Sequence, residues 1–277
     1  MTLAARRRDL IFVQLRETQK FSFETNILGH PQVHVRQRNS LRSFVEAISG
    51  NPIYLDFTGL GHNTWAPLIK ICLEAGRCLR AVYLEPVSYA LSASPRIGDI
   101  YDLSERIEGI EPIPLFTNLD EPNEEHTSFV PLLGFEGTRL SHMLEEVQPP
   151  ERKTFPVIGV PGFRPEYPFD AYLGNSGPLA RTGAYRNVWY AKSNCPFSLF
   201  YTLTDISQLK LTDHLKVGLI GTKPHALGAV LFAMSHASVE LVYDHVKRKD
   251  KRTSGAAKCL VYGLSEFLPS SNILGVP

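Results

Sequence analysis

Apolar runs that end in a glycine-containing corner recur along the chain, and each is followed by residues at helical spacing. "PIYLDFTGLGHNTWAPLIKICLEAGRCLRAVYLEP" reads as an apolar strand, a turn, a helix and a second strand. "SFVPLLGFEGTRLSHMLEEVQPPERKTFPVIGVPGF" and "LKVGLIGTKPHALGAVLFAMSHASVELVYDH" repeat that order. "RNVWYAKSNCPFSLFYTLTDISQL" adds a strand, a turn and a helix, with Ser193 or Asn194 as cap and Pro196 in the first turn. Strands that are apolar on both faces need cover on both sides, which helices supply in parallel sheets. The pattern therefore predicts a Rossmann-like α/β fold: a doubly wound, mainly parallel sheet with helices on both faces and right-handed crossovers. The spacing is too irregular for a solenoid, and the strand–helix pairs are too few for an eightfold barrel.

Residues 1–50 read as an N-terminal extension. Within it "NSLRSFVEAISG" has the shape of a helix, capped by Asn39 or Ser40, with apolar Leu41, Phe44, Val45 and Ile48 and a stop at Gly50. Residues 51–277 form the expected single domain, with long loops at 86–127 and 161–187. The first loop is rich in proline and carboxylates and ends in the acidic tip "LDEPNEEH"; the second is rich in proline, glycine and aromatics. Long irregular connections of this kind are lids, binding loops or irregular surface.

Composition narrows the partners. A chain of 277 residues can bury a substantial core, and a net charge of +1 excludes a strong global attraction to nucleic acid or acidic membrane. Local basic runs, Arg6-Arg7-Arg8 and "KRKDKR" at 247–252, read first as solvated charge. The four cysteines form no C-x-x-C pair, so free, mostly buried thiols in a reducing compartment are expected, and no metal site. No apolar stretch approaches the ~20 residues of a spanning helix, so no membrane partner and a cytoplasmic location are expected.

In open parallel sheets ligands bind beyond the carboxyl ends of the strands. That rule selects Asp56, Thr58, Gly59, Gly61, His62 and Asn63 after the first strand, and Gly134, Glu136, Gly137, Thr138 and Arg139 in the middle unit. Ser193 and Asn194 follow, then Gly221, Thr222, Lys223 and His225. Glycine allows close backbone approach, and helix-start amides favour an anion. The expected ligand-binding set is therefore Thr58, Gly59, Gly61, His62, Arg139, Asn194, Gly221, Thr222, Lys223 and His225, converging on one rim. The ligand would be a phosphorylated small molecule or an oligonucleotide. No motif names a cofactor, and a nucleotide-type ligand is the one these corners would accept. His62, Glu136 and His225 are the candidates for moving protons. Glu85 and Asp244 fall at strand ends where a ribose hydroxyl could be held.

Each signal has a plain alternative. The glycines can simply close turns, and the histidines can cap helices or pack on aromatics. Glu136 and Arg139 can form a local ion pair, and Arg164 can pair with Glu166 or Asp170. "GLGHNT" does not complete G-x-G-x-x-G, and "GTKPHALG" lacks the P-loop spacing. No G-x-S-x-G elbow, H-E-x-x-H or Cys-His signature is present.

"LIGTKPHALGAVLFA" resembles the loop-plus-helix signature of the CRISPR-associated Rossmann fold domains, and "YLDFTGLGHNTW" resembles their other ligand loop. The resemblance covers about thirty residues. It implies a homodimeric sensor of cyclic oligoadenylates, with Thr58, Gly59, Gly221, Thr222 and Lys223 as ligand-loop positions. It also implies partner proteins and a place in antiviral defence. The functional expectation is thus a nucleotide-binding sensor or regulatory protein. The alternative is an enzyme acting on a nucleotide or sugar phosphate through histidine and glutamate acid–base groups at the strand ends.

Overall fold

The structure, a computed structural model, describes residues 10–117, 127–150, 152–209 and 214–275. Arg6-Arg7-Arg8 and the acidic tip at 119–126 lie outside them. The chain divides into two compact units, Met1–Val82 with Val261–Pro277, and Tyr83–Leu260.

In the first unit, β1 (Leu15–Gln19), β2 (Ser22–Thr25) and β3 (Gln32–His34) form an antiparallel sheet. α1 (Arg38–Ala47) buries Leu41, Phe44 and Val45, and Phe44 meets Phe23 edge-on at 5.3 Å. Helix ends leave carbonyls unsatisfied. Here Arg77 supplies the donors, reaching the carbonyls of Val45 (2.9 Å), Ile48 (2.9 Å) and Gly50 (2.6 Å). β4 (Ile53–Asp56), α2 (His62–Glu74) and β5 (Leu79–Leu84) make a parallel crossover, and the late strand β18 (Cys259–Gly263) joins it in the order β18–β5–β4. α7 (Leu264–Phe267) follows β18.

The second unit begins with short strands: β6 (Ser88–Tyr89), β7 (Leu91–Arg96), β8 (Asp99–Tyr101), β9 (Ser104–Arg106) and β10 (Glu111–Pro112). Its centre holds β11 (Thr127–Pro131), α3 (Gly137–Val147), β12 (Val157–Gly159), α4 (Tyr167–Thr182) and β13 (Trp189–Ala191). Then come α5 (Pro196–Ser207), β14 (His214–Gly218), α6 (Lys223–Ser235), β15 (Val239–Tyr243), β16 (Lys247–Arg248) and β17 (Thr253–Ser254). β11, β14 and β15 pair in parallel, with β10 antiparallel on the far edge of β15. β12 and β13 form a separate parallel pair, touching the first ladder through single bridges at Phe129–Thr154 and Leu132–Val157. α6 is buried on nearly every side, which its apolar sequence permits and an amphipathic helix would not.

The expected doubly wound parallel sheet is not what forms. Among the described residues the strands fall into seven small sheets of two to four strands, of mixed direction. The strand–corner–helix segments are present, but they close into two units, and short antiparallel pairs take up much of the rest. The segment 86–127, expected as a loop, contributes β6 to β10; all five find partners, in β15, β16, β17 and, for β7 and β8, one another. β16, in the basic strip, pairs with β9, while Lys247 reaches Glu105 at 2.8 Å and Lys249 pairs with Asp102.

The expected loop at 161–187 is mostly α4, sixteen residues long despite Gly174, Gly177 and an internal Pro178. Propensity argues against such a helix, and packing overrides it. Pro178 has no N–H to offer the Gly174 carbonyl four residues back. That oxygen lies against Gly137 of α3 instead, so closely that a Cβ built on Gly137 would sit 2.1 Å from it. Reciprocally, a Cβ on Gly174 would sit 2.1 Å from the Phe135 carbonyl oxygen. Two backbones touch where side chains would hold them apart. Gly137→Ala is expected to destabilise the fold by about 1–3 kcal/mol, read as a lowered urea midpoint, because the obstacle is backbone that has to shift. A midpoint within error of wild type would show that α3 and α4 do not approach this closely.

Candidate functional site

The first predicted corner, residues 56–63, belongs to the first unit, and the others belong to the second. In the first corner Asp56 Oδ1 accepts the Thr58 N–H at 2.9 Å, and Glu17 Oε1 accepts the Gly61 N–H at 2.8 Å. The start of α2 thus already holds a carboxylate of this chain. Gly59 has nothing within 4 Å of a built Cβ, so no close approach requires it. His62 is buried at the head of α2, its ring 5.4 Å from that of Trp65.

In the second unit the later corners do come together. Gly134 and Gly221 bring the ends of β11 and β14 into backbone contact: a Cβ on Gly134 would lie 2.5 Å from the Ile220 carbonyl oxygen, and one on Gly221 2.9 Å from that of Leu132. Arg139, in the first turn of α3, reaches across both strand ends. Its Nε donates to Asp244 Oδ2 at 2.6 Å, Nη2 to Asp244 Oδ1 at 2.7 Å, and Nη1 to the Ile220 carbonyl at 3.3 Å. Asp244, offered by the sequence as a ribose holder, instead anchors Arg139 from the residue after β15. The Asp244 side chain is 0% exposed and that of Arg139 5%. Burial disfavours the guanidinium charge, but the Asp244 carboxylate overcomes this and holds the Arg139 pKa above its ordinary range.

Glu136 lies 4.0 Å from Arg139 Nη1, so the local ion pair exists as a weaker companion of the Asp244 pair. Its carboxylate is otherwise employed. Oε1 accepts the N–H groups of Leu103 (3.0 Å) and Ser104 (2.9 Å), and Oε2 accepts the Ser104 hydroxyl at 2.7 Å. These bonds pin the β8–β9 turn over α3 and enclose a cavity of about 370 Å³. Four carboxylates line it, from Asp99, Asp102, Glu105 and Glu136, against the two guanidinium groups of Arg106 and Arg139. An anion would find net repulsion there.

The remaining corner joins the starts of α5 and α6. Thr222 caps α6 by accepting the His225 N–H at 3.3 Å, and its own hydroxyl donates to the Ser193 carbonyl at 2.9 Å. His225 Nε2 meets the Lys192 carbonyl at 3.1 Å. A carbonyl only accepts, so Nε2 carries the proton and the ring is neutral on Nδ1. Desolvation lowers the His225 pKa to about 4, outweighing the backbone bonds that raise it. Lys192 and Asn194 flank Ser193 along the chain and Lys223 follows Thr222, and neither α5 nor α6 has a carboxylate in its first turn. Sequence reasoning passed over Lys192. The signal was its position directly after β13, one residue before the selected Ser193.

The structure therefore brings Arg139, Asn194, Gly221, Thr222, Lys223 and His225 into one unit. Thr58, Gly59, Gly61 and His62 lie in the other. Arg164 pairs with Glu166 at 2.7 Å, the plain alternative. The cysteines are all free: Cys72 is buried, Cys78 and Cys195 partly so, and Cys259 exposed. Among the described residues no group of three or more His, Cys, Asp or Glu could hold a metal ion, and no helix is long and apolar enough to cross a membrane. Comparison with protein-family models, with curated proteins and with solved structures finds no match for this chain.

Proposed function

We propose that the chain binds a phosphorylated small molecule of nucleotide type where α5 and α6 begin, and acts as a sensor or regulatory component. The observation that carries this reading is the tie between the two helix starts through Thr222 and Ser193, with Lys192 and Lys223 beside it and no first-turn carboxylate. Two helix dipoles then present their positive ends to one place, and two lysines add full charges. Pro196 and Pro224 remove amide donors, and Thr222 occupies that of His225. The corner works by charge more than by an amide cradle, so binding weakens with salt.

The placement of the proton-moving candidates favours binding over catalysis. Glu136 is engaged by three donors, and His62 and His225 are 2% and 0% exposed. The resemblance of the "GTK" corner makes cyclic oligoadenylate the first probe, beside ATP and a sugar phosphate. Calorimetric titration tests the reading. Lys223→Ala and Lys192→Ala are each expected to weaken the bound probe by about 1.5–3 kcal/mol, the range of a charge-assisted hydrogen bond. Affinity unchanged in both variants removes the corner from the site. Conversion of the probe, abolished by His225→Ala, would establish the enzyme instead.

A further inference from the structure

α4 turns one uncharged stripe outward. Residues 169, 172, 173, 176, 177 and 180 recur at the i, i+3, i+4, i+7, i+8, i+11 spacing of a single helical face. Its first half is bulky and open to water: Phe169 is 70% exposed, Tyr172 43% and Leu173 37%. Its second half is small, with Ser176, Gly177 and Ala180, and a Cβ on Gly177 would meet nothing within 4 Å. The contact of α4 with α3 runs through Gly174 on the other side. The stripe therefore does not hold the helix in place.

We propose that this face is the contact between two copies of the chain, with the two α4 helices crossing antiparallel about a twofold axis near residues 174–176. A twofold contact must be self-complementary, and this stripe is so in shape. Antiparallel crossing sets Phe169 against the partner's Ala180, Tyr172 against the partner's Gly177, and Leu173 against the partner's Ser176. Bulk meets space at every level, in both directions.

Charge points the same way. Asp170 and Arg181 stand eleven residues apart, about three turns, and so flank the stripe on the same side. In an antiparallel pair like flanks face each other, which brings Arg181 beside the partner's Asp170, twice over. A parallel pair would set the two copies of this flank on opposite sides of the seam, and neither contact would form. Asp170 Oδ2 accepts the Tyr101 hydroxyl at 2.7 Å, and a carboxylate has a second oxygen to offer. One helix face falls short of the roughly 1,200–2,000 Å² of a standard stable interface, so the dimer is expected to be reversible and concentration-dependent.

Sedimentation velocity of the full chain over a micromolar concentration series tests this. Wild type should pass from monomer to dimer. Phe169→Arg and Gly177→Trp, both at exposed positions, should stay monomeric with unchanged circular dichroism. Arg181→Asp should weaken the dimer about tenfold by facing two carboxylates. Register is read separately in a Cys259→Ser background, by mixing Tyr172→Cys chains with Gly177→Cys chains and oxidising. A covalent mixed dimer is expected. A wild type that remains monomeric, a dimer that survives both Phe169→Arg and Gly177→Trp, or no mixed crosslink overturns the proposal.

Discussion

Arg139→Met is expected to cost about 3–5 kcal/mol of folding stability, the usual consequence of stranding one partner of a buried ion pair. Asp244 is wholly buried, and Arg139 donates two hydrogen bonds to it, through Nε and Nη2. Removing the guanidinium leaves a carboxylate without water and without its counter-ion. The Ile220 carbonyl loses a donor in the same step, and Glu136 loses the cation 4.0 Å from it. The double variant Arg139→Met/Asp244→Leu should recover most of the loss, because it removes both charges and fills the space with apolar atoms. Urea titration of the two variants and wild type reads the effect. A single variant within about 1 kcal/mol of wild type, a loss typical of exposed pairs, would show that water reaches the ion pair. The experiment also bears on function. An Arg139 that is spent on Asp244 is not available to grip a phosphate, so Arg139→Lys should disturb stability more than ligand affinity.

The second large effect is a dependence on pH set by His225. The ring is buried and neutral, with its pKa lowered to about 4 from the ordinary 6.5. The unfolded chain takes up a proton on this histidine as pH falls through 6.5, while the folded chain resists until about 4. The stability due to the neutral ring is therefore complete above about pH 6.5 and is lost progressively as pH falls towards 4. That gap corresponds to about 3 kcal/mol. His225→Phe should flatten the stability curve between those limits. The difference between the two proteins isolates this residue from the carboxylates that titrate in both. Parallel curves for wild type and His225→Phe from pH 4 to 7 would mean that the ring is hydrated in the folded chain. At neutral pH the variant should lose the ring's bonds to the Lys192 and Ala191 backbone, about 1–3 kcal/mol.

Several residues were readable in the sequence for local reasons. Thr222 stands before a proline-containing first turn and three residues ahead of His225, the pattern of a cap, and it caps α6. Of the apolar positions Leu41, Phe44, Val45 and Ile48 that spacing assigns to α1, the first three form its buried face and Ile48 is its C-cap, while Asn39 and Ser40, expected as caps, lie inside the helix. Arg164 and Glu166 lie close enough along the chain for their pairing to be foreseen. Other residues carried no such signal. Nothing near Arg139 announces Asp244, which is 105 positions away. Nothing near Gly61 announces Glu17, 44 positions away and on a different element. α4 was hidden because Gly174, Gly177 and Pro178 oppose a helix locally, and only the backbone contact with α3 reveals why they are there.

The sequence by itself determined part of the local structure: apolar runs made the longer strands, the apolar stripe of α1 made a helix, and prolines stand in the first turns of α5 and α6. These follow from forces that act within a few residues. Tertiary structure alone decided which strands pair, how the chain divides into two units, and which corners share a neighbourhood. Strand pairing depends on backbone groups that are the same in every residue, so two apolar strands look alike whether or not they meet. The fate of charge was decided at the same level. Glu17 fills one helix start and Asp244 neutralises Arg139, because burial and partners, not residue type, decide what a charged group can still bind.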